Sequence, residues 1–292
     1  MSLVFCYGSN LDAEGRDAWM RGQGHAGRPP RTAGTALLLD RRLSFERFAR
    51  SRNGGVLTLS VAPGHVVDGA LLEADDALLA LLDRKEGHPD AYLRERTDAI
   101  LPDGRLQEAW LYDVPPQRRH GHVPPTQSYL DSVRRGLAAH GLPAAALEAA
   151  AQQRPFRPAV PWMFVYGTLR AGGANAALLA GLTRHPATAA GLLHDLGAYP
   201  AMTLGPGEVA GEVVPLDPAR LAALDALEQA LPFGAPGGAY RRTVLRVRLA
   251  DGSHLRAQVY VMDSCAAPRI PHGDWARLGD RRAAWAARPL GA

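Results

Sequence analysis

Lysine is almost missing from this sequence. Of its 33 basic side chains, spread over 292 residues, only Lys85 is a lysine and the rest are arginines. The arginines include scattered pairs, Arg41-Arg42, Arg118-Arg119, Arg134-Arg135 and Arg241-Arg242, with acidic residues between them, and the formal net charge is only +4. A nucleic-acid groove needs a contiguous basic stripe, which this pattern does not supply. No nucleic-acid partner is expected, and the arginines read as solvated surface. Cysteine is as scarce. Cys6 and Cys265 cannot build a disulfide framework, and their apolar surroundings lead us to expect buried free thiols. No stretch approaches the roughly 18 uninterrupted apolar residues of a membrane span. No charged leader precedes a long apolar run near the N-terminus. The expectation is a cytoplasmic protein with no membrane partner.

Signatures of several catalytic classes are absent too. His88, His120 and His122 are close in sequence but have no Cys or Asp partners at ligand spacing, so no metal site is expected. No Ser or Cys stands in a nucleophile-elbow context. Gly172-Gly173 lacks the downstream Lys-Ser/Thr of a phosphate-binding loop.

What the sequence does hold is a long internal repeat. Val67-Asp68-Gly69-Ala70 opens a segment ending Leu82-Asp83-Arg84-Lys85-Glu86. Val209-Ala210-Gly211-Glu212 opens a second, ending Leu224-Asp225-Ala226-Leu227-Glu228. The two align without a gap at a separation of 142 positions (209 − 67 and 228 − 86). After a short insertion Tyr92 matches Tyr240, Asp103-Gly104 matches Asp251-Gly252, and Tyr112 matches Tyr260. Near the starts, Val4 to Ser9 resembles Met163 to Thr168. Three blocks recurring in one order indicate a duplicated domain, and the length suits two domains. The alanine-rich stretch 144–153 reads as a helix. Three prolines within Arg154–Pro161 cannot continue it and favour an extended linker. The expected division is therefore 1–153, a linker over 154–161, and 162–292.

Within the first copy, Leu3 to Cys6 reads as a buried strand. Gly8 permits a turn, and Asn10 and Asp12 can cap a helix to about Met20. Short strands are expected at 36–39, 43–45, 56–61 and 66–72, the last two separated by Pro63-Gly64. Asp75 to Lys85 reads as a helix with Leu78, Leu79, Leu81 and Leu82 on its apolar stripe. Strands at 93–101 and 106–114 flank an Asp-Gly turn. The second copy repeats the order, with its hairpin at 243–249 and 255–262. Strands outnumber helices, so the expected class is α+β: two domains, each a small mixed β-barrel-like sheet with helices packed outside.

Two constellations carry chemistry. Tyr7-Gly8-Ser9-Asn10 is a strand end, a glycine and small polar residues before a helix, an arrangement whose backbone N–H groups bind a carboxylate or developing oxyanion. It also suits an ordinary capped connection. Glu86 ends a helix that Gly87 stops. The negative end of the helix dipole, with burial, raises the pKa of a carboxyl group placed there. Such a group moves protons near neutral pH. The alternative is a solvated glutamate on a last turn, and its recurrence at Glu228 fits retained function or retained packing.

Taken together, Tyr7-Gly8-Ser9-Asn10-Leu11, Gly54-Gly55, Val67-x-Gly69, Leu82-Asp83-x-x-Glu86-Gly87, Tyr92 and Pro124-Pro125-Thr126-x-Ser128-Tyr129 resemble the γ-glutamyl cyclotransferase pattern over nearly all of 1–153. The second copy is similar to the γ-glutamylamine cyclotransferase, or AIG2-like, branch at Tyr166-Gly167-Thr168-Leu169-Arg170, Leu196-Gly197-x-Tyr199-Pro200, Leu224-Asp225-x-x-Glu228 and Ile270-Pro271-x-Gly273-Asp274-Trp275. The resemblance implies cleavage of a small-molecule γ-glutamyl amide by attack of its own α-amine, giving 5-oxoproline and a free amine or amino acid without cofactor or metal. It implies Glu86 and Glu228 as acid/bases. Tyr7, Gly8, Ser9 and Asn10, and Tyr166, Gly167, Thr168 and Leu169, are the implied binding turns. Tyr92 and Tyr240 line the pockets or pack the core. Relatives pair as dimers, so a monomer with an internal pseudo-dimer or a homodimer is expected. One active domain with a structural or small-molecule-binding partner is the alternative to two active ones, and a non-enzymatic binding module is a third reading. The second copy departs from the first by the insertion Leu231 to Gly238 and by Gln229 in place of the glycine after the glutamate.

Overall fold

The first strand, β1 (Ser2–Cys6), is too apolar to have a wet face, and the fold buries both sides of it. It pairs antiparallel with β3 (Gly54–Ala74) and parallel with β5 (Leu106–Asp113). With β2 (Thr32–Ala49) and β4 (Leu93–Ile100), these strands close a barrel in the order β1-β3-β2-β4-β5. Closure removes the free edges that an open sheet would have within the barrel. The computed structural model describes residues 1–25, 27–155, 160–231 and 237–278. The chain divides into two compact units, Met1–Leu101 with Leu106–Ala159, and Pro102–Arg105 with Val160–Ala292. The expected linker lies partly outside the described residues, as do the middle of the Leu231–Gly238 insertion and residues 279–292.

The second unit repeats the circuit with β6 (Trp162–Val165), β7 (His185–Asp195), β8 (Pro200–Pro215), β9 (Arg241–Leu249) and β10 (His254–Val261). Its closed order is β10-β6-β8-β7-β9, the same cyclic arrangement. Side chains alternate across β6: Phe164 joins the cluster that includes Val213, Val247 and Val259, while Met163 and Val165 join one containing Leu221 and Leu224. That period of two is why a strand buried on both faces reads as an unbroken apolar run. The class is α+β, as expected.

The helices are α1 (Ala13–Gly22), α2 (Asp76–Glu86), α3 (Gln127–Ala139), α4 (Ala145–Ala151) and α5 (Pro218–Leu227). α2 and α5 are built alike. Asp75 caps one by accepting from the Leu78 backbone N–H at 2.8 Å, and Asp217 caps the other from Arg220 at 2.9 Å. At the far ends His88 N–H bonds Asp83 O and Ala230 N–H bonds Asp225 O, at 2.8 and 2.9 Å. These are the wrap-back bonds of a Schellman turn, which needs a left-handed residue. Gly87 supplies it at φ 64°, and Gln229 adopts the same conformation at φ 51°. The glycine is lost from the second copy but its backbone shape is kept.

Several sequence expectations need correction. The pieces at 36–39 and 43–45 are one strand, β2, and Pro63-Gly64 does not break β3. A register shift between Leu39 and Arg41 absorbs the irregularity, with Asp40 at φ 59° and its carboxylate accepting from Gly64 N–H at 2.8 Å. A bulge bends the strands and leaves the ladder running past it. Asn10 does not cap α1, its amide being turned to Glu86 and Lys85; Asp12 stands at the N-cap position, and its carboxylate accepts from Ser132 and Arg135 of α3 at 2.8 and 2.6 Å. Cys6 is buried, and burial pushes its thiol up to about 12, but Cys265 is only half-buried, because β10 has already ended at Val261. Among the described residues, no helix is long and apolar enough to cross a membrane.

The repeated glycine of Val-x-Gly marks where the first and third strands of each barrel touch most closely. A Cβ on Gly69 would sit 2.4 Å from Cys6 O and 2.5 Å from the Phe5 ring. On Gly211 it would sit 2.4 Å from Val165 O and 2.6 Å from the Phe164 ring. Backbone atoms cannot yield as a flexible side chain would. Gly69→Ala and Gly211→Ala are each expected to destabilise their own unit by about 1–3 kcal/mol, read as a lowered denaturant midpoint. An unchanged midpoint would show that the crossing is looser than described.

Candidate active site

A small 3-10 turn, Ser9–Leu11, follows β1 directly. It is closed by Leu11 N–H to Gly8 O and Asp12 N–H to Ser9 O. Among the described residues, the backbone N–H groups of Gly8, Ser9 and Asn10 have no acceptor. Unpaired donors at a strand end cradle negative charge. In the second unit the equivalent turn closes through Arg170 N–H to Gly167 O at 3.0 Å, and Asn175 braces it by donating to Thr168 Oγ1 at 3.0 Å.

A chain of hydrogen bonds fixes the helix end against this turn. Tyr7 Oη donates to Tyr112 O at 2.9 Å, and Tyr112 Oη donates to Asp83 Oδ1 at 2.7 Å. Arg94 grips the other oxygen of Asp83 at 2.8 Å. The second unit repeats the tyrosine links, Tyr166 Oη to Tyr260 O at 2.9 Å and Tyr260 Oη to Asp225 Oδ1 at 2.6 Å, and Arg242 forms an ion pair with that same Asp225 oxygen at 2.8 Å. The aspartate lies three residues before the glutamate, so this chain sets where the glutamate points.

Each unit holds a cavity beside this assembly. In the first unit a cavity of 440 Å³ is lined by Tyr7, Gly8, Ser9, Asn10, Glu86 and Tyr92, together with Tyr129 and Arg52. In the second, a cavity of 360 Å³ is lined by Tyr166, Gly167, Thr168, Leu169, Glu228 and Tyr240, together with Tyr199. Every site residue singled out in the sequence lies in one of these two cavities. Tyr92 and Tyr240 also brace the walls, donating to Leu57 O at 3.0 Å and Pro200 O at 3.1 Å.

The surroundings of the two glutamates differ. Glu86 Oε1 accepts from Asn10 Nδ2 at 2.9 Å, and Lys85 Nζ lies 3.6 Å from it while donating to Asn10 Oδ1 at 2.6 Å. Lys85 and Glu86 are 9% and 14% exposed, so water screens the contact little. At the matching places the second copy has Leu169 for Asn10 and Leu227 for Lys85. The carboxyl group of Glu228 has no hydrogen-bond or ion-pair partner among the described residues. Burial alone raises its pKa from 4.5 to about 7.

Sequence reasoning passed over Lys85, Arg52 and Tyr129 as site residues. Lys85 carried a signal, being the sole lysine and adjacent to the glutamate. Tyr129 lay inside a quoted motif. Nothing in the sequence set Arg52 apart from the other arginines.

Comparison with known proteins agrees on the kind of protein. The family model described as γ-glutamyl cyclotransferase, AIG2-like, matches residues 4–131 and again 163–277. A protein of Methanocaldococcus jannaschii named "Putative gamma-glutamylcyclotransferase" is 45% identical over 51 residues, covering 18% of this chain and 42% of that protein. One of the same name from Vibrio cholerae is 44% identical over 72 residues, covering 23% and 60%. The chain spans about half the length of these curated relatives. A solved structure titled γ-glutamyl cyclotransferase is 23% identical, with a TM-score of 0.43, over 54% of this chain and 88% of its own.

Because the carboxyl of Glu228 prefers to be neutral when folded, the folded second unit binds more protons than the unfolded chain between the two pKa values. That contribution to stability is fully present below pH 4.5 and is lost as pH rises through about 7. The loss amounts to roughly 3 kcal/mol. Glu228→Gln, neutral at every pH, is expected to match the parent chain near pH 4 and to exceed it increasingly towards pH 8. Hydrogen exchange on β6 to β10 reads this, and a gap independent of pH would refute the burial of an unpaired carboxylate.

Proposed function

The chain belongs to the γ-glutamyl cyclotransferase, AIG2-like family, and from that premise we propose that both of its units cleave γ-glutamyl amides by internal cyclisation. The α-amine nitrogen of the substrate attacks its own γ-carbonyl carbon. The bond from that carbon to the departing nitrogen breaks, and the products are 5-oxoproline and a free amine or amino acid. The α-ammonium gives up two protons, one before the attack and one as the ring amide forms, and the departing nitrogen takes up two and leaves as an ammonium; the glutamate carries them in turn, so the enzyme ends as it began and no water is consumed. Glu86 and Glu228 are the proposed acid/bases.

The observation that carries this reading is the pairing, in each unit, of a shielded carboxyl group with an open strand-end turn in one cavity. The chemistry asks for little else. The nucleophile is tethered to its target, so a well-oriented bound form supplies on the order of several kcal/mol of the acceleration. The turn's N–H groups suit the charge developing on the carbonyl oxygen. One proton carrier completes the set. Two cavities, each with its own glutamate, favour two working sites over one site and a structural partner.

The proposal predicts that Glu86→Gln and Glu228→Gln each remove part of the 5-oxoproline released from a panel of γ-glutamyl amides, and that the double variant loses at least about a hundredfold. Full release by the double variant would sink the assignment. The Glu86→Gln chain isolates the second cavity. Its kcat/KM is expected to rise with pH around 7, where Glu228 gains its charge and its ability to accept a proton. A flat profile there would remove Glu228 as the base.

A further inference from the structure

The two cavities differ at one wall. In each unit the second and third strands form a hairpin whose tip borders the cavity. In the first unit that tip is Arg50–Arg52, between β2 and β3. In the second it is the stretch from Leu196 to Tyr199, between β7 and β8, closed by Leu196 N–H to Tyr199 O at 3.1 Å. The first tip brings Arg52 to the cavity and the second brings Ala198 and Tyr199.

Arg52 differs from the other cations around its cavity. Arg16 is engaged by Asp17 at 2.8 Å, Lys85 by Asn10 at 2.6 Å and Arg135 by Asp12 at 2.6 Å. The guanidinium of Arg52 has no acceptor among the described residues and lies 5.6 Å from the centre of the Tyr129 ring. A stacked guanidinium keeps its N–H edge free, and that edge matches a carboxylate bidentately. Glu86 and the strand-end turn line this cavity too, and the proposed cyclisation gives them the γ-glutamyl part. Arg52 is the cation of this lining that no acceptor of the described residues engages.

We infer that this hairpin tip selects the departing amine, Arg52 admitting one that carries a carboxylate to the first cavity and Tyr199 favouring an uncharged one in the second. The inference rests on the cyclisation proposed above. Arg52 acts as a specificity residue. The charged amine gains a charge-assisted pair at the first tip, and at the second it would leave a carboxylate against an aromatic ring and Ala198, with no cation among the described lining residues. The same division runs through the rest of the linings, polar at Asn10 and Lys85 in one, leucine at both places in the other.

The test uses the full chain with one cavity silenced at a time and two substrates of one skeleton, γ-glutamyl-alanine and γ-glutamyl-alaninamide. With Glu228→Gln in place, the acid is expected to be the better substrate of the first cavity. Adding Arg52→Gln should lower the acid-to-amide ratio of kcat/KM by about tenfold, and Arg52→Lys should restore part of it. With Glu86→Gln in place, the second cavity should prefer the amide. An acid-to-amide ratio that Arg52→Gln leaves unaltered overturns the inference while the cyclisation stands. Loss of both substrates in equal measure does the same, since it would make Arg52 structural. A parent chain that cyclises neither substrate overturns the function and the inference together.

Discussion

One tyrosine hydroxyl on the last strand of each barrel, donated to the aspartate one turn before the glutamate, ties the site together. It joins a helix end to the sheet, and its own backbone carbonyl receives the tyrosine of the strand-end turn. The turn, the final strand and the helix thus become one unit around the cavity. Beside it the first strand lies hard against the third, at Gly69 and Gly211. The recurring Val-x-Gly, Leu-Asp-x-x-Glu and paired tyrosines are, in physical terms, the parts of this single joint.

Around that joint the two copies have diverged in electrostatics while keeping their geometry. The first surrounds its glutamate with an amide and an ammonium; the second leaves it with leucines and burial. A carboxyl group without a partner in an apolar wall is costly when charged, and a native fold tolerates such a cost where the group has work to do. Gln229, held in a left-handed conformation that glycine would adopt more cheaply, shows the same tolerance beside the same group. The helix-end shape that aims the glutamate has outlasted the residue best suited to it.

Much of this was legible in the sequence because the repeat acts as an internal comparison. The two glutamates, the strand-end turns, the Asp-Gly hairpins and the α+β class followed from blocks recurring in order. The roles of Asp83, Arg94 and Tyr112 did not, because a hydrogen-bonded chain between residues far apart in sequence leaves no local pattern. The single long β2 and β3 were hidden by Asp40 and Gly64, whose turn-like chemistry marks a bulge within the ladder and not the end of a strand. Arg52 was hidden for the opposite reason: one arginine among many looks like surface until the fold places it over a cavity.

The central claim is that the attacking atom belongs to the substrate and not to water. Turnover of a γ-glutamyl amide by the intact chain in water labelled with heavy oxygen tests it directly. The account predicts 5-oxoproline with no label in its ring carbonyl and an equal amount of released amine. Free glutamate carrying the label in its γ-carboxylate would contradict it.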